Sequence, residues 1–366
     1  MSVPGAAGPR GKVIEHRVYQ AIASAGRRVR GLLELLGALG VLAACAETTP
    51  VLGPLDPTSE SNAPLAHVTY SSRRSRSLDL DDRLPLFDRV GFSWPSAILY
   101  DRTRDVYWVS NLNLDGPKGA GFISRLQPDG SQSTLNFIDG RRPGVRLGSP
   151  HGLAISGDTL LVADVTALRR FDAVSGEPRD SITIAASRYL SDVAVAADGS
   201  LYVTDVGSDP NLAAVPNEGA DAVYQISPSG EVRVVARRPD LGGPFALLSD
   251  STGLWIACTG SADLLLLVPS STGAESPDAG RLHLPGEVPR GIAAMPDGTL
   301  LISSWTARSV YRGFHDGPFE PVITGLESPA DLDYDSRRKR LLIPLLTGQA
   351  LAIFELAPFA PSLPPR

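Results

Sequence analysis

Cysteine is almost missing from this chain: two residues in 366, Cys45 and Cys258. That excludes a fold stapled by a disulfide framework. Histidine is scarce too, with five residues, which excludes a His-rich metal centre. No apolar run reaches the roughly 20 residues that a membrane-crossing helix needs. There is no His-Glu-x-x-His, no Gly-x-Ser-x-Gly, no phosphate-binding Gly-rich loop and no Cys-x-x-Cys, so no reaction is declared by a motif. Basic charge is the minority: 34 Lys and Arg against 40 Asp and Glu, for a net charge of −6. Residues 1–45 hold six basic and two acidic side chains, so the remainder carries −10. An acidic surface excludes nucleic acid as the expected partner, because phosphate binding needs the opposite sign.

What the chain has is repetition. Pro150-His151-Gly152-Leu153-Ala154-Ile155 is followed by a tight turn and Leu160-Leu161-Val162-Ala163-Asp164. Pro289-Arg290-Gly291-Ile292-Ala293-Ala294 is followed by Pro296-Asp297-Gly298 and Leu300-Leu301-Ile302-Ser303-Ser304. Four further copies start at Pro95, Leu190, Pro244 and Pro329. The interval from one start to the next suits a four-stranded unit with loops of variable length. Asp-Gly between two apolar runs is a hairpin signal, since both turn positions tolerate positive φ. Units of this size, each a short sheet, predict an all-β, six-bladed β-propeller over residues 84–357. The sixth unit ends at Ala350–Leu356 without a fourth strand. An N-terminal strand at Leu84–Val90 is the expected donor that closes the ring and removes the open edge.

The chain ahead of Leu84 reads differently. Arg27, Arg28 and Arg30 precede a short apolar run that ends Leu42-Ala43-Ala44-Cys45. Basic residues, a short apolar stretch and then small residues form a secretory signal. The last four resemble the lipobox of bacterial lipoproteins, in which the cysteine is acylated. That implies a signal peptide over 1–44, a lipid at Cys45 and an exported protein held at the membrane of the cell envelope. Residues 45–83 are expected as a disordered tether, and 358–366 as a Pro-rich tail. Cys258, at the end of an apolar strand, is expected as a buried, inert thiol. The basic run Arg337-Arg338-Lys339-Arg340 is expected as a solvated hairpin turn.

Aligning the six copies picks out the channel mouth. The position after the first residue of each copy reads Ser96, His151, Ser191, Phe245, Arg290 and Ala330. The next reads Ala97, Gly152, Asp192, Ala246, Gly291 and Asp331. His151, Asp192, Arg290 and Asp331 are the candidate ligand-binding set: an imidazole, two carboxylates and a guanidinium can hold an anion or a metal, or do acid–base work. The same aspartates can instead accept backbone N–H groups at the strand starts. A second ring at the ends of the second strands reads Asn111, Asp164, Asp205, Cys258, Ser304 and Leu345. Long loops at 111–121, 139–149 and 206–221 share the mouth's face.

These units resemble NHL-repeat proteins and the senescence marker protein/gluconolactonase group of six-bladed propellers. The likeness is carried by Pro150–Ala154, Asp198–Asp205 and Pro289–Ala293. It implies lactone hydrolysis assisted by a channel calcium held by Glu, Asn and Asp. Here His151 precedes Gly152 and Arg290 precedes Gly291, where that group has oxygen ligands. Calcium is held by several oxygens. Two expectations follow. The first is a non-catalytic, lipid-anchored propeller with no cofactor, binding a small-molecule ligand or an envelope protein through the long-loop face. The alternative is a gluconolactonase-like, metal-dependent lactone or ester hydrolase, with Asp192, Asp331, Asn111 and Asp205 as the metal ligands.

Overall fold

The computed structural model describes residues 77–87, 90–207, 221–270 and 274–358. The signal peptide, Cys45, most of the tether, most of the 206–221 loop and nearly all of the tail lie outside the described residues.

Among the described residues, six antiparallel sheets follow one another along the chain. The first holds β1 (Pro95–Asp101), β2 (Val106–Asn111), β3 (Phe122–Leu126) and β4 (Ser133–Asp139). The second holds β5 (Pro150–Ser156), β6 (Thr159–Asp164), β7 (Ala167–Asp172) and the short β8 (Ile182–Thr183). The third holds β9 (Leu190–Val195), β10 (Leu201–Asp205), β11 (Ala222–Ile226) and β12 (Val232–Arg237). The fourth holds β13 (Pro244–Ser249), β14 (Leu254–Cys258), β15 (Asp263–Leu267) and β16 (Asp278–His283). The fifth holds β17 (Pro289–Ala294), β18 (Leu300–Ser304), β19 (Ser309–Gly313) and β20 (Glu320–Ile323). The sixth has three strands, β21 (Asp333–Asp335), β22 (Arg340–Leu345) and β23 (Ala350–Glu355). Each inner strand touches the inner strands of its neighbours, and β21 and β22 touch β1. The sheets are the six blades of a closed β-propeller.

The turns form as their residues dictate. Asp198 and Asp297 each accept the backbone N–H two residues on, from Ser200 and Thr299. The intervening Gly199 and Gly298 take φ of 82° and 81°. A Cβ disfavours that region, and glycine has none. Among the described residues the core has six large clusters, one per blade interface, and a seventh small one near the channel mouth. Trp108, Ile123, Leu160 and Phe171 pack between blades one and two. Leu341, Ile343 and Phe354 meet Leu301 and Val310 between blades six and five. Apolar burial between sheets, not within them, therefore holds the ring together.

The closing segment lies where the sequence places it, but not as a regular strand. The Leu84 N–H donates to the Ile353 carbonyl at 2.7 Å. Phe87, with Leu84 and Leu86, packs on Leu342, Leu351, Ile353 and Tyr107. Pro85 has no N–H to continue a ladder. Closure is thus mainly by side-chain packing on the outer edge of blade six. Part of the expected tether is structured as well: residues 77–83, tether by sequence, are held on blade five. Leu78 forms a parallel bridge with Ile323, donating to Val322 and accepting from Thr324. Asp79 and Asp82 cap a single 3-10 turn reciprocally, as in a capping box. Residues 77–87 are a strap across the outer edges of blades five and six.

The basic run 337–340 is also more than a solvated turn. Arg338 donates to both oxygens of Asp105 at 2.7 Å and to Asp335 at 3.0 Å, and Arg340 donates to the Pro128 carbonyl at 2.8 Å. The buried Tyr107 hydroxyl donates to Asp335 at 2.7 Å. These bonds join blade six to blade one at the seam.

Candidate functional site

One register recurs in all six blades. Pro95 faces Asn111, Pro150 faces Asp164, Leu190 faces Asp205, Pro244 faces Cys258, Pro289 faces Ser304, and Pro329 bridges Leu345. In blades one to five the pairing then shifts by at least one residue. Ser96, Ser191, Phe245 and Arg290 are the extra residues, and His151 lies within the shifted stretch. A β-bulge leaves its extra residue out of the ladder and re-aims its side chain. The bulge is what turns the first variable position of each repeat into a mouth residue.

His151 is buried and bonded at both ring nitrogens: Nδ1 to Ser96 Oγ at 2.9 Å and Nε2 to the Tyr189 hydroxyl at 2.8 Å. Burial, and then the nearby Arg290 charge, push its pKa down to about 3. Both effects disfavour the charged ring, so it is neutral near neutral pH. Tyr189 also meets Ser149 Oγ at 3.1 Å. The Arg290 guanidinium lies between two rings, 4.4 Å from the Phe245 centroid and 4.8 Å from that of Trp305. Both distances are within cation–π range. Trp94 and Trp305 pack on Leu112, Ala330 and Leu346, which completes an aromatic and apolar wall on the side of blades five, six and one.

Further along the inner strands the channel holds about 290 Å³, and three carboxyl groups line it. Asp192 accepts the N–H of Val193 and, across the blade boundary, that of Leu247, both at 2.7 Å. Asp333 likewise accepts Tyr334 and, from blade one, Tyr100, both at 2.7 Å. Asp331 accepts from Leu332 and from Ile292 of blade five, and its own N–H donates to the Ser96 carbonyl at 3.1 Å. The inner edge of a blade has N–H groups with no ladder partner, and the carboxyls take them up. Burial raises all three. Asp192 goes to about 7, held back by its two backbone donors. Asp333 goes to about 6. Asp331 is raised well above the carboxylate range, by burial first and then by repulsion from Asp192 and Asp333. Asp331 and Asp333 keep partial exposure to the channel, whereas Asp192 is 5% exposed. Gly152 is required beside Asp192: a Cβ there would come within 2.5 Å of the Asp192 Cα.

Of the four metal ligands in the alternative expectation, the fold gives two another task. Asn111 Oδ1 accepts the Ser93 N–H at 3.1 Å, and its amide donates to Val109 and Ser124. Asp205 accepts the N–H groups of Arg188, Tyr189 and Gly207 at 2.8–2.9 Å. Asp164 does the same for Gly148 and Ser149. These side chains fasten the loops entering blades one, two and three to the ends of their second strands. Among the described residues no three His, Cys, Asp or Glu side chains converge as a metal site. With an imidazole and a guanidinium at the mouth as well, the donor set does not fit calcium. Cys258 is fully buried, its thiol pushed up to about 12 by burial.

The sequence reading misses Tyr189, Trp305, Trp94 and Asp333. Trp94 and Tyr189 share the repeat position just before the first strand, and Trp305 sits just after the second. Extending the register by one residue each way finds these three, while Asp333 lies two residues beyond Asp331. No family model matches the chain, and no curated protein does. Solved structures do. A gluconolactonase from Xanthomonas campestris is 21% identical over 76% of this chain and 92% of its own, with a TM-score of 0.58. A structural-genomics protein described as a gluconolactonase is 19% identical, over 72% and 89%, at 0.56. A luciferin-regenerating enzyme is 11% identical, over 74% and 93%, at 0.54. At these identities the likeness is one of fold: a six-bladed propeller with gluconolactonase-like structural neighbours.

Proposed function

We propose that this propeller is a hydrolase of small esters or lactones that works in its channel without calcium. The observation that carries the reading is the Asp192–Asp331 pair. Asp192 is buried and Asp331 half-buried, the Asp192 charge repels that of Asp331, and both titrate far above the usual range. Near neutral pH such a pair can hold one proton and one negative charge. One protonated and one ionised carboxyl form an acid–base pair: the ion takes a proton from water as it attacks the acyl carbon, and the acid protonates the leaving oxygen. Arg290 attracts the carboxylate product at the mouth. The enzyme names of the solved neighbours support a catalytic use of the ring.

The test is pH-stat hydrolysis of an ester and lactone panel, with and without a calcium chelator. Turnover is expected to survive chelation and to fall at least 100-fold in Asp192→Asn. Loss of turnover on chelation would overturn the calcium-free chemistry. A folded protein that turns over nothing would leave the binding reading, in which the long-loop face holds a ligand or an envelope protein.

We also propose export and lipid anchoring through Cys45, on the lipobox-like sequence that ends there. Cys45→Ala is expected to move the protein from the detergent phase to the aqueous phase in phase partition. An unchanged distribution would remove the anchor.

A further inference from the structure

The channel is plugged at its long-loop end. Ser96, His151, Ser191, Phe245, Arg290 and Ala330, one from each blade, are all buried. Contacts among them cross the axis. Ser96 meets His151 at 2.9 Å. The His151 ring stands edge-on to Phe245, with centroids 6.2 Å apart. These two rings belong to blades two and four, which are not neighbours, so their contact spans the channel. Arg290 of blade five stacks on the same Phe245 ring, 4.4 Å from its centroid. A buried, packed layer that joins opposite walls bars a solute.

Beyond this layer the inner strands run on to the hairpin turns, and exposure rises in that direction. Ala154 is buried and Ile155 half-buried. Leu247 is buried, while Leu248 and Ser249 are half-buried. Ala293 is buried and Ala294 exposed. The channel volume of about 290 Å³ lies along this stretch, from Asp192 at the inner end to Leu99, Val195, Leu248 and Ala294 further out. At about 30 Å³ per water, that is room for roughly ten non-hydrogen atoms. Every blade contributes Leu, Ile, Val or Ala to the lining. An aliphatic wall favours an aliphatic ligand, because each removes the other's surface from water.

We infer that the channel is entered from the hairpin-turn face, opposite the long loops, and takes small aliphatic esters or lactones, with the alkyl chain along the inner strands. This rests on the channel site proposed above and adds its entrance and its ligand class. The binding part holds whether or not the carboxyls catalyse.

The experiment separates the two. Calorimetry would compare 1-butanol with 1-heptanol, which cannot be hydrolysed, and pH-stat assays would compare δ-valerolactone with δ-octalactone. Each pair differs by three methylenes, and each buried methylene corresponds to about a fourfold gain. Expected is at least 10-fold tighter binding of 1-heptanol. Ala294→Trp and Ser249→Trp, on the rims of blades five and four, should each weaken it at least 10-fold. Leu114→Trp, on an exposed residue of the long-loop face, should bind as wild type does. Melting temperatures of the three variants guard against misfolding, and the chain-length series needs no variant. This pattern without hydrolysis of either lactone supports the entrance and ligand class and removes the hydrolase. Hydrolysis of δ-valerolactone equal to or faster than that of δ-octalactone overturns the ligand class and keeps the hydrolase. Loss of binding in Leu114→Trp but not in folded rim variants overturns the entrance. Binding of neither alcohol overturns the ligand class.

Discussion

The channel carboxyls make the ring's stability fall as pH rises through neutrality. Asp192 titrates near 7 in the folded protein and near 3.8 when unfolded. Between those values the folded chain keeps a proton that the unfolded chain has lost. Folding therefore takes up a proton, and stability drops with increasing pH. The contribution is fully present below about pH 4 and gone above about pH 7. One pKa unit corresponds to about 1.4 kcal/mol, so Asp192 alone sets a ceiling of about 4 kcal/mol. Water in the channel screens part of it, and about 2–4 kcal/mol is expected. Asp333, raised to about 6, acts in the same direction. Surface carboxylates act in the opposite one. Asp105, drawn down to about 2 chiefly by Arg338, stabilises above its unfolded value and loses that contribution as pH falls towards 2. The two trends place maximum stability near pH 4–5, below the usual range for globular proteins. Urea unfolding followed by tryptophan fluorescence at pH 4.5, 6.0 and 7.5, at one ionic strength, measures it. Asp192→Asn should flatten the curve. It should also lower stability at pH 4.5 by about 1–3 kcal/mol, because its amide group faces a backbone N–H. A wild-type curve that is level or rises from pH 4.5 to 7.5 would refute the reasoning, as would an Asn variant with the wild-type slope.

Three other substitutions probe the frame. Gly152→Ala drives a methyl group into Asp192 and should disrupt its bond to Leu247. The expected loss of stability is about 1–3 kcal/mol; a melt within 1 °C of wild type would contradict it. Tyr107→Phe removes the donor to buried Asp335 at the seam, with an expected loss of about 1.5–3 kcal/mol in urea unfolding. Phe87→Ala acts at the buried end of the strap. It should lose about 3–5 kcal/mol and expose blade six to limited proteolysis before the other blades. Uniform protection in hydrogen exchange would show that the strap does not close the ring.

The extent to which the site can be read from sequence differs by position. Asp192 and Asp331 stand out in the repeat alignment because they are carboxylates at positions held elsewhere by glycine or alanine. That they line one channel and that the Asp192 charge raises the pKa of Asp331 follows from blades three and six facing the same axis. Asn111 and Asp205 look equally suited to a metal by residue type. Only the path of the entering loops shows that their oxygens are occupied by backbone donors. Arg338 looks like one member of a solvated basic run until the seam brings Asp105 to it, 233 residues away in sequence.

The blade count, the strand order and the all-β class are legible in the linear chain. They rest on local information: alternating apolar runs, Asp-Gly turns and a repeated period, each contained within a single repeat. The same comparison of repeats shows that the mouth positions differ from blade to blade and lack the oxygen set of a calcium site. Where those positions point is a property of the folded ring. A β-bulge is a matter of strand pairing, and pairing sets whether Arg290 lies in a ladder or between two aromatic rings. The closing segment likewise packs more than it pairs, since Pro85 interrupts the ladder while Phe87 finds a buried place beside Tyr107. The acidity of the channel also belongs to the fold, because desolvation and charge repulsion depend on distance in space, which a linear chain does not record.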